Sequence, residues 1–530
     1  MSVFCPVVGD LLETNAQKSP NKTAIIELES GASWSYSDLQ THVVHVANSL
    51  IENGLQPGDR VATFLKDCVE ISISFFATAR TGGIFVPINY RLSPEELRYI
   101  LDDCAVKVLV FDEDGLEIVD SIRKKIGSVK MYTCTAKKSP KFAKPFREFI
   151  VDRKGKDIKS SILENDIAML IYTSGTTGIP KGTVHSHNGV ICATEAWTRP
   201  TRLTPFDRSI ALGPLYHIGP LLSNFMPTLY MGGSNVIQRH FDPLITLKSI
   251  KDHAISVMWA TPTHLNWLTS LEGADQFDLS SLRVIQYSGA PLSKGLFSRI
   301  RNTFHDIDLV NAYGMTEIDS VSVAYPAEHD KHLGSVGKAL PKTYIRVVDQ
   351  GKGDPYKEVD RGQTGEIVVL SPCTMQGYWG SKNKTNDVIK DGWYFTGDLG
   401  RMDEDGYLYY VERQDDMIIS GGENIYPLEV ENTLSKHMKV QSVAIVGIPD
   451  EKWGEVVTAF VVRADETVTE QELDEFCTHS NELASYKRPR RYIFVDELPT
   501  TSSGKIDKKL LRVERSSDSK TLKSKEGKDD

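Results

Sequence analysis

The sequence predicts an α/β protein: a large N-terminal domain of doubly wound parallel sheets with a small β-barrel-like part, then a small α+β C-terminal domain. Three observations carry this. Short apolar strands alternate with helical patterns through the first two-thirds of the 530 residues, as in parallel sheet covered on both faces. From about residue 334 to 411 the pattern changes to glycine-rich turns and short alternating strands. After Arg413 compact strand–helix elements resume, and from about Glu514 apolar residues almost vanish. The expected division is 1–412, 413–513 and a disordered 514–530 tail.

Taken in order, Val61–Phe64, Phe85–Ile88 and Val108–Phe111 read as buried strands. Residues 71–88 are the most apolar long stretch, but Arg80 and Gly82-Gly83 break it, so it reads as buried helix and strand and not as a membrane span. Ser93-Pro94-Glu95-Glu96 is a helix start, with a cap serine, proline in the first turn and a reciprocal glutamate. Ile167–Tyr172, Val284–Tyr287 and Ile307–Val310 are strands that lead into loops, the last into Asn311-Ala312-Tyr313-Gly314. Ligands of open α/β sheets bind beyond the carboxyl ends of strands, so these loops are candidates to share one ligand. Tyr344–Val348, Glu366–Leu370 and Tyr407–Val411 supply the barrel-like strands; Val443–Ile448 and a helix over 470–481 belong to the last unit.

The net charge of −10 argues against a nucleic-acid surface. Seven scattered cysteines show no metal-binding spacing, and reduced thiols in a cytoplasmic protein are expected. The N-terminus has no secretory pattern, and the chain ends in Lys-Asp-Asp, not a peroxisomal signal. Homodimerisation is the assembly to look for, although nothing in the sequence specifies it.

The densest chemical signal is Thr173-Ser174-Gly175-Thr176-Thr177-Gly178-Ile179-Pro180-Lys181, between the strand at Ile167 and the next helical pattern. Glycines let backbone N–H groups turn toward an anion, hydroxyls add donors and Lys181 adds charge, which suits a polyphosphate. It lacks the Gly-Lys-Ser/Thr triplet of a Walker A loop. A Ser/Thr/Gly surface turn is the bland alternative for such a loop alone.

Further motifs follow in order: Tyr313-Gly314-Met315-Thr316-Glu317, Gly392-Trp393-Tyr394-Phe395-Thr396-Gly397-Asp398, Arg413-Gln414-Asp415, Ser420-Gly421-Gly422-Glu423 and Ser503-Gly504-Lys505. Together with the Thr/Gly loop, this ordered set resembles the adenylate-forming (ANL) superfamily of acyl-CoA synthetases, peptide-synthetase adenylation domains and luciferases, over nearly the whole chain. The resemblance implies an ATP-dependent carboxylic acid–CoA ligase that forms acyl-AMP and passes the acyl group to coenzyme A, releasing AMP and pyrophosphate. It implies ATP, Mg2+ and coenzyme A, and a C-terminal domain that moves about Asp415.

By the same resemblance, Thr173–Lys181 cradles the β- and γ-phosphates, Thr316 donates to the α-phosphate and Glu317 is the magnesium ligand. Gly289, Ala290, Pro291, Tyr313 and Gly314 enclose adenine, and Asp398 and Arg413 take the ribose. Lys505 is the charge between the substrate carboxylate and the α-phosphate, and Gly421, Gly422 and Glu423 line the thiol channel. Tyr486–Arg491 resembles the segment of aryl-CoA ligases that receives the coenzyme A nucleotide, with Arg488 its candidate contact and Trp453 beside the channel. Taken alone, Asp398 reads as a turn residue, Thr316-Glu317 as a helix cap, Lys505 as an exposed lysine and the Arg488 run as a solvated face.

Departures from the pattern are Glu412 for a glycine, Thr500 for a basic residue, Lys508 for an arginine and Thr183 for an apolar residue; none removes a catalytic group. In Pro214-Leu215-Tyr216-His217-Ile218, His217 stands near where amino-acid adenylating domains carry an aspartate, so a free α-amino acid is disfavoured; His217 borders the carboxylate or is simply packed. Thr261–Leu265 resembles halobenzoate-type ligases, and Ser288, Ala312 and Asp319 would line the far end of the acid pocket. Medium- or long-chain fatty acids and aromatic acids both stay open. The alternative acceptor is a carrier-protein thiol. A luciferase-like oxygenase finds no selecting feature, and a non-catalytic nucleotide sensor would be expected to have lost Lys505 or Glu317.

Overall fold

The computed structural model describes residues 7–512, except 151–160, 174–179, 291, 293, 330, 333, 352, 422, 451, 481–482 and 502–504. The expectations for Ser174, Gly175, Thr176, Thr177, Gly178, Pro291, Gly422 and the tail therefore lie outside the described residues.

Two parallel sheets with antiparallel edges form the large α/β part. One has eight strands, in the order Gly377–Tyr378, Lys181–Ser186, Ile167–Thr173, Ile84–Pro87, Arg60–Phe64, Val106–Phe111, Met131–Cys134 and Lys144–Pro145. The other has nine, and its parallel centre runs Asp308–Tyr313, Val284–Ser288, Val257–Ala260, Arg208–Ala211, Ser234–Ile237 and Thr23–Glu27. The apolar stretch at 71–88 forms the buried helix Val69–Arg80 and the strand Ile84–Pro87. Strands buried on both faces need such continuous apolar runs. The helix Pro94–Asp103 starts as its sequence dictates: Ser93 Oγ accepts from Glu96 N, and Glu96 Oε2 accepts from Ser93 N at 2.9 Å.

The region expected to be barrel-like is an antiparallel five-stranded sheet of Tyr344–Val348, Gly365–Leu370, Trp393–Met402, Ile389–Lys390 and Leu408–Arg413. Beyond it, Val440–Asp450 and Gly454–Arg463 form the long hairpin of a second five-stranded sheet with its own apolar cluster, covered by Pro427–Leu434 and Glu470–Thr478. No helix among the described residues is long and apolar enough to cross a membrane.

Three local readings need correction. The Thr/Gly loop does not lead straight into a helix: it joins Ile167–Thr173 to an antiparallel strand, Lys181–Ser186, with Thr173 opposite Lys181. Helix begins only at His187, capped by Ser186. Asn311, Ala312 and Tyr313 lie in the strand, because Asn311 and Ala312 pair on both sides and Tyr313 pairs with Ser322. Thr316 and Glu317 sit in a tight turn held by Met315 O and do not open a helix.

Candidate active site

The turn after Tyr313 is compact because Gly314 has no side chain: a Cβ there would overlap the Asp319 carbonyl oxygen. Ile318 N and Asp319 N both donate to Met315 O, at 3.0 and 2.7 Å. The turn is tied sideways to the strand at Gly377, where Met375 N donates to Glu317 O at 2.7 Å and Tyr378 hydroxyl donates to Glu317 Oε1 at 2.9 Å. Lys181, at the far end of the Thr/Gly loop, holds its ammonium 5.2 Å above the Tyr378 ring, a cation–π distance. His185, on the same strand, is pushed down to about 4 by burial, partly offset by the Thr316 backbone, and is neutral at pH 7.

Asp398 and Arg413 are register partners on adjacent antiparallel strands. Asp398 Oδ2 accepts from the Tyr313 hydroxyl at 2.7 Å. Its Oδ1 lies 2.8 Å from Arg413 Nε, a charge contact outside hydrogen-bond geometry, and that oxygen has no hydrogen-bond partner among the described residues. Burial raises the Asp398 pKa, while Arg413 and the Tyr313 hydroxyl pull it back. A 2%-exposed carboxylate with an oxygen to spare is suited to accept hydroxyl donors from a ligand.

Lys505 reaches this group from the C-terminal unit. Thr501 N donates to Lys505 O at 2.7 Å. A Cβ on Gly289, where φ is +93°, would lie 3.2 Å from Lys505 Cε, so glycine serves both the backbone turn and the lysine's approach. Lys505 is open to solvent but crowded by protein. That crowding lowers its pKa and the Arg413 charge adds to this; Asp398 and Glu317 oppose it.

The structure thus gathers Lys181, Gly289, Tyr313, Gly314, Thr316, Glu317, Asp398, Arg413 and Lys505, with Thr173 at the end of its strand and Ala290 two residues beyond Val284–Ser288. The other predicted residues have local contacts of their own. His217 packs its ring 4.4 Å from Tyr216, which meets Tyr90 edge-on, and Asp67 accepts from Leu215 N in the same loop at 2.9 Å. Gly421 lies against Trp453, its N–H donating to Trp453 O at 2.8 Å, and Glu423 is on an exposed edge strand. Asp415 occupies a short turn, Gln414–Asp416, between the two units. Arg488 bonds Asp474 at 2.9 Å, Lys487 meets Glu429 and Arg491 meets Asp450, so the basic run is a paired face in this structure.

Sequence reasoning missed Tyr378, whose aromatic and hydroxyl contacts join Lys181 to Glu317; no local pattern marks it. It also left Glu412 and Lys508 as unexplained departures. Lys508 Nζ lies 2.9 Å from Glu431 and 3.7 Å from Glu412, across the turn that carries Asp415.

Comparison with known proteins fits this arrangement. Residues 12–379 match the AMP-binding enzyme family and 429–505 match the AMP-binding enzyme C-terminal domain. A feruloyl-CoA synthase of Amycolatopsis sp is 35% identical over 499 residues, covering 94% of this chain and 96% of that protein. The long-chain-fatty-acid–CoA ligase FadD13 of Mycobacterium tuberculosis is 31% identical over 510 residues, covering 96% and 98%. The crystal structure of ATP-bound MatB from Rhodopseudomonas palustris superposes with a TM-score of 0.86 at 31% identity, covering 96% of this chain and 98% of that one. A site closed by a lysine from a second unit, on a scaffold shared end to end with these proteins, places the chain in the AMP-binding enzyme family.

Proposed function

We propose that this chain is an AMP-forming acid–thiol ligase that joins a carboxylic acid to the α-phosphate of ATP, then transfers the acyl group to coenzyme A. The observation that carries this reading is Lys505 standing against Gly289 beside Asp398, Arg413 and Glu317. A carboxylate attacking a phosphate brings two anions together, and an oriented ammonium between them stabilises the charge that develops. Asp398, with Oδ1 free of hydrogen bonds, would accept from ribose hydroxyls, and Arg413 fixes its orientation. Lys181 supplies charge for the terminal phosphates. Gly289 and Tyr313 would enclose adenine.

Among the described residues no group of three His, Cys, Asp or Glu is placed to hold a metal by itself. Glu317 fits a magnesium ion completed by phosphate oxygens, since Tyr378 engages only Oε1. Such an ion would neutralise phosphate charge. The reading places a hinge at Asp415 between units 1–412 and 413–513 of a cytoplasmic enzyme. Relatives named for coenzyme A and spread over nearly the full length favour coenzyme A over a carrier protein as acceptor. Their names include an aromatic and an alkyl acid, so both classes belong to this reading.

The test is Lys505→Ala in two separate assays. Acid-dependent pyrophosphate exchange is expected to fall about 10²–10³-fold, while acyl transfer from synthetic acyl-adenylate to coenzyme A persists. Unchanged exchange in the variant would remove Lys505 from the chemistry.

A further inference from the structure

Between the nine-stranded sheet and a π-helix, Gly219–Phe225, three buried side chains hold polar groups that the protein leaves unanswered. Trp259 Nε1 and both amide atoms of Gln286 and of Asn224 have no hydrogen-bond partner among the described residues. Gln286 is 0% and Asn224 1% exposed. Native interiors leave few such groups, because each costs about 1–3 kcal/mol.

Their placement is specific. Trp259 and Gln286 are register partners on adjacent parallel strands, so they leave the same face of the sheet. That face looks toward the π-helix, since a Cβ on Gly213 or Gly219 would lie 2.5 or 3.1 Å from the Trp259 ring. Asn224 comes from the π-helix itself, a geometry frequent at functional sites. Two residues beyond Gln286 on the same strand and face is Ser288, half-buried, and the next residue is Gly289, against Lys505. At roughly 3.3 Å per residue, Gln286 stands about 10 Å along the strand from Gly289.

We propose that these side chains form the distal end of the acid pocket and select a short aromatic acid bearing a hydroxyl at its far end. This rests on the reading that Lys505 meets the carboxylate. A hydroxyl both donates and accepts, and so answers an amide oxygen, an amide N–H and the indole N–H. A long alkyl chain would lay methylenes over these groups and leave them unpaired, which is how a polar site rejects an apolar analogue.

The experiment compares 4-hydroxycinnamate, cinnamate and hexadecanoate with the full-length enzyme, ATP, Mg2+ and coenzyme A, reading kcat/KM for pyrophosphate release. The expected result is a preference of about 10- to 100-fold for the hydroxylated acid over cinnamate, with hexadecanoate poorer still. Gln286→Leu and Asn224→Leu should each narrow the hydroxyl-to-deoxy ratio by about tenfold or more. Equal rates for the two cinnamates, or a preference for hexadecanoate, overturns the inference while leaving the ligase reading intact. If no acid releases pyrophosphate, the ligase reading fails. Calorimetric binding of the same acids then decides the pocket, and equal affinities overturn it.

Discussion

Asp319 shows how one buried group couples the site to pH. Its φ is +72° and its carboxylate accepts from Ser223 Oγ at 3.1 Å and Ser320 Oγ at 3.2 Å, with Trp197 donating to Ser320 at 2.9 Å. Among the described residues no charged group offsets its burial, which pushes its pKa up to about 7 from the ordinary 3.8. A carboxyl whose pKa is raised on folding contributes stability that is complete below the unfolded value and is lost as pH rises through the folded one. Between pH 5 and 8 the wild-type protein should therefore lose stability from this group. Asp319→Asn should flatten that loss by at least the order of 1 kcal/mol, in denaturant unfolding at the two pH values. An unchanged pH profile would show Asp319 ionised without penalty. Lys505 shifts in the opposite sense: its pKa is lowered, so its positive charge is given up at a lower pH than a free lysine's. Adenylation should show an alkaline limb that acyl transfer from preformed adenylate lacks, readable in parallel pH–rate profiles.

At the scale of elements, the segment carrying Lys505 is clamped one helical turn further on. Lys508 pairs with Glu431 and Glu412, and Arg512 with Asp416 at 2.9 Å, while Glu412 also accepts from Leu428 N at 3.2 Å. Glu412 is the next-to-last residue of the strand Leu408–Arg413, so the clamp spans the Asp415 turn. Breaking a largely buried pair from one side leaves a carboxylate uncompensated and costs on the order of 3 kcal/mol. Lys508→Met is expected to destabilise the C-terminal unit by that order in thermal unfolding, and to slow pyrophosphate exchange more than acyl transfer. Equal slowing of both steps would make the clamp merely structural. The sequence flagged Glu412 and Lys508 as odd but could not pair them, because the contact joins positions 96 residues apart. Boundaries failed where pairing decided them. Asn311–Tyr313 reads as a loop by its polar and glycine neighbours, yet two flanking strands hold it extended.

Across the whole molecule, what was legible is what local chemistry determines. Alternating strands and helices, the Ser93 cap and the ordered motifs around Tyr313, Asp398 and Lys505 needed no partner to be recognised. What was hidden is what only tertiary packing creates. Tyr378 acquires its contacts to Lys181 and Glu317 only when the short strand at Gly377 joins the eight-stranded sheet. Gln286 becomes conspicuous only once its burial and its missing partners are seen. The basic run at Arg488 pairs with acids of its own unit, contacts that only the fold reveals. Only the folded chain brings a lysine of the C-terminal unit against Gly289 and beside Asp398 and Arg413.

Oxygen labelling tests directly whether a carboxylate attacks the α-phosphorus of ATP, as proposed. An acid labelled with 18O in its carboxylate is incubated with ATP, Mg2+, coenzyme A and the full-length enzyme, and the phosphate products are weighed by mass spectrometry. One labelled oxygen is expected in AMP and none in pyrophosphate. Label in orthophosphate with formation of ADP would place the attack at the γ-phosphate and contradict the proposal.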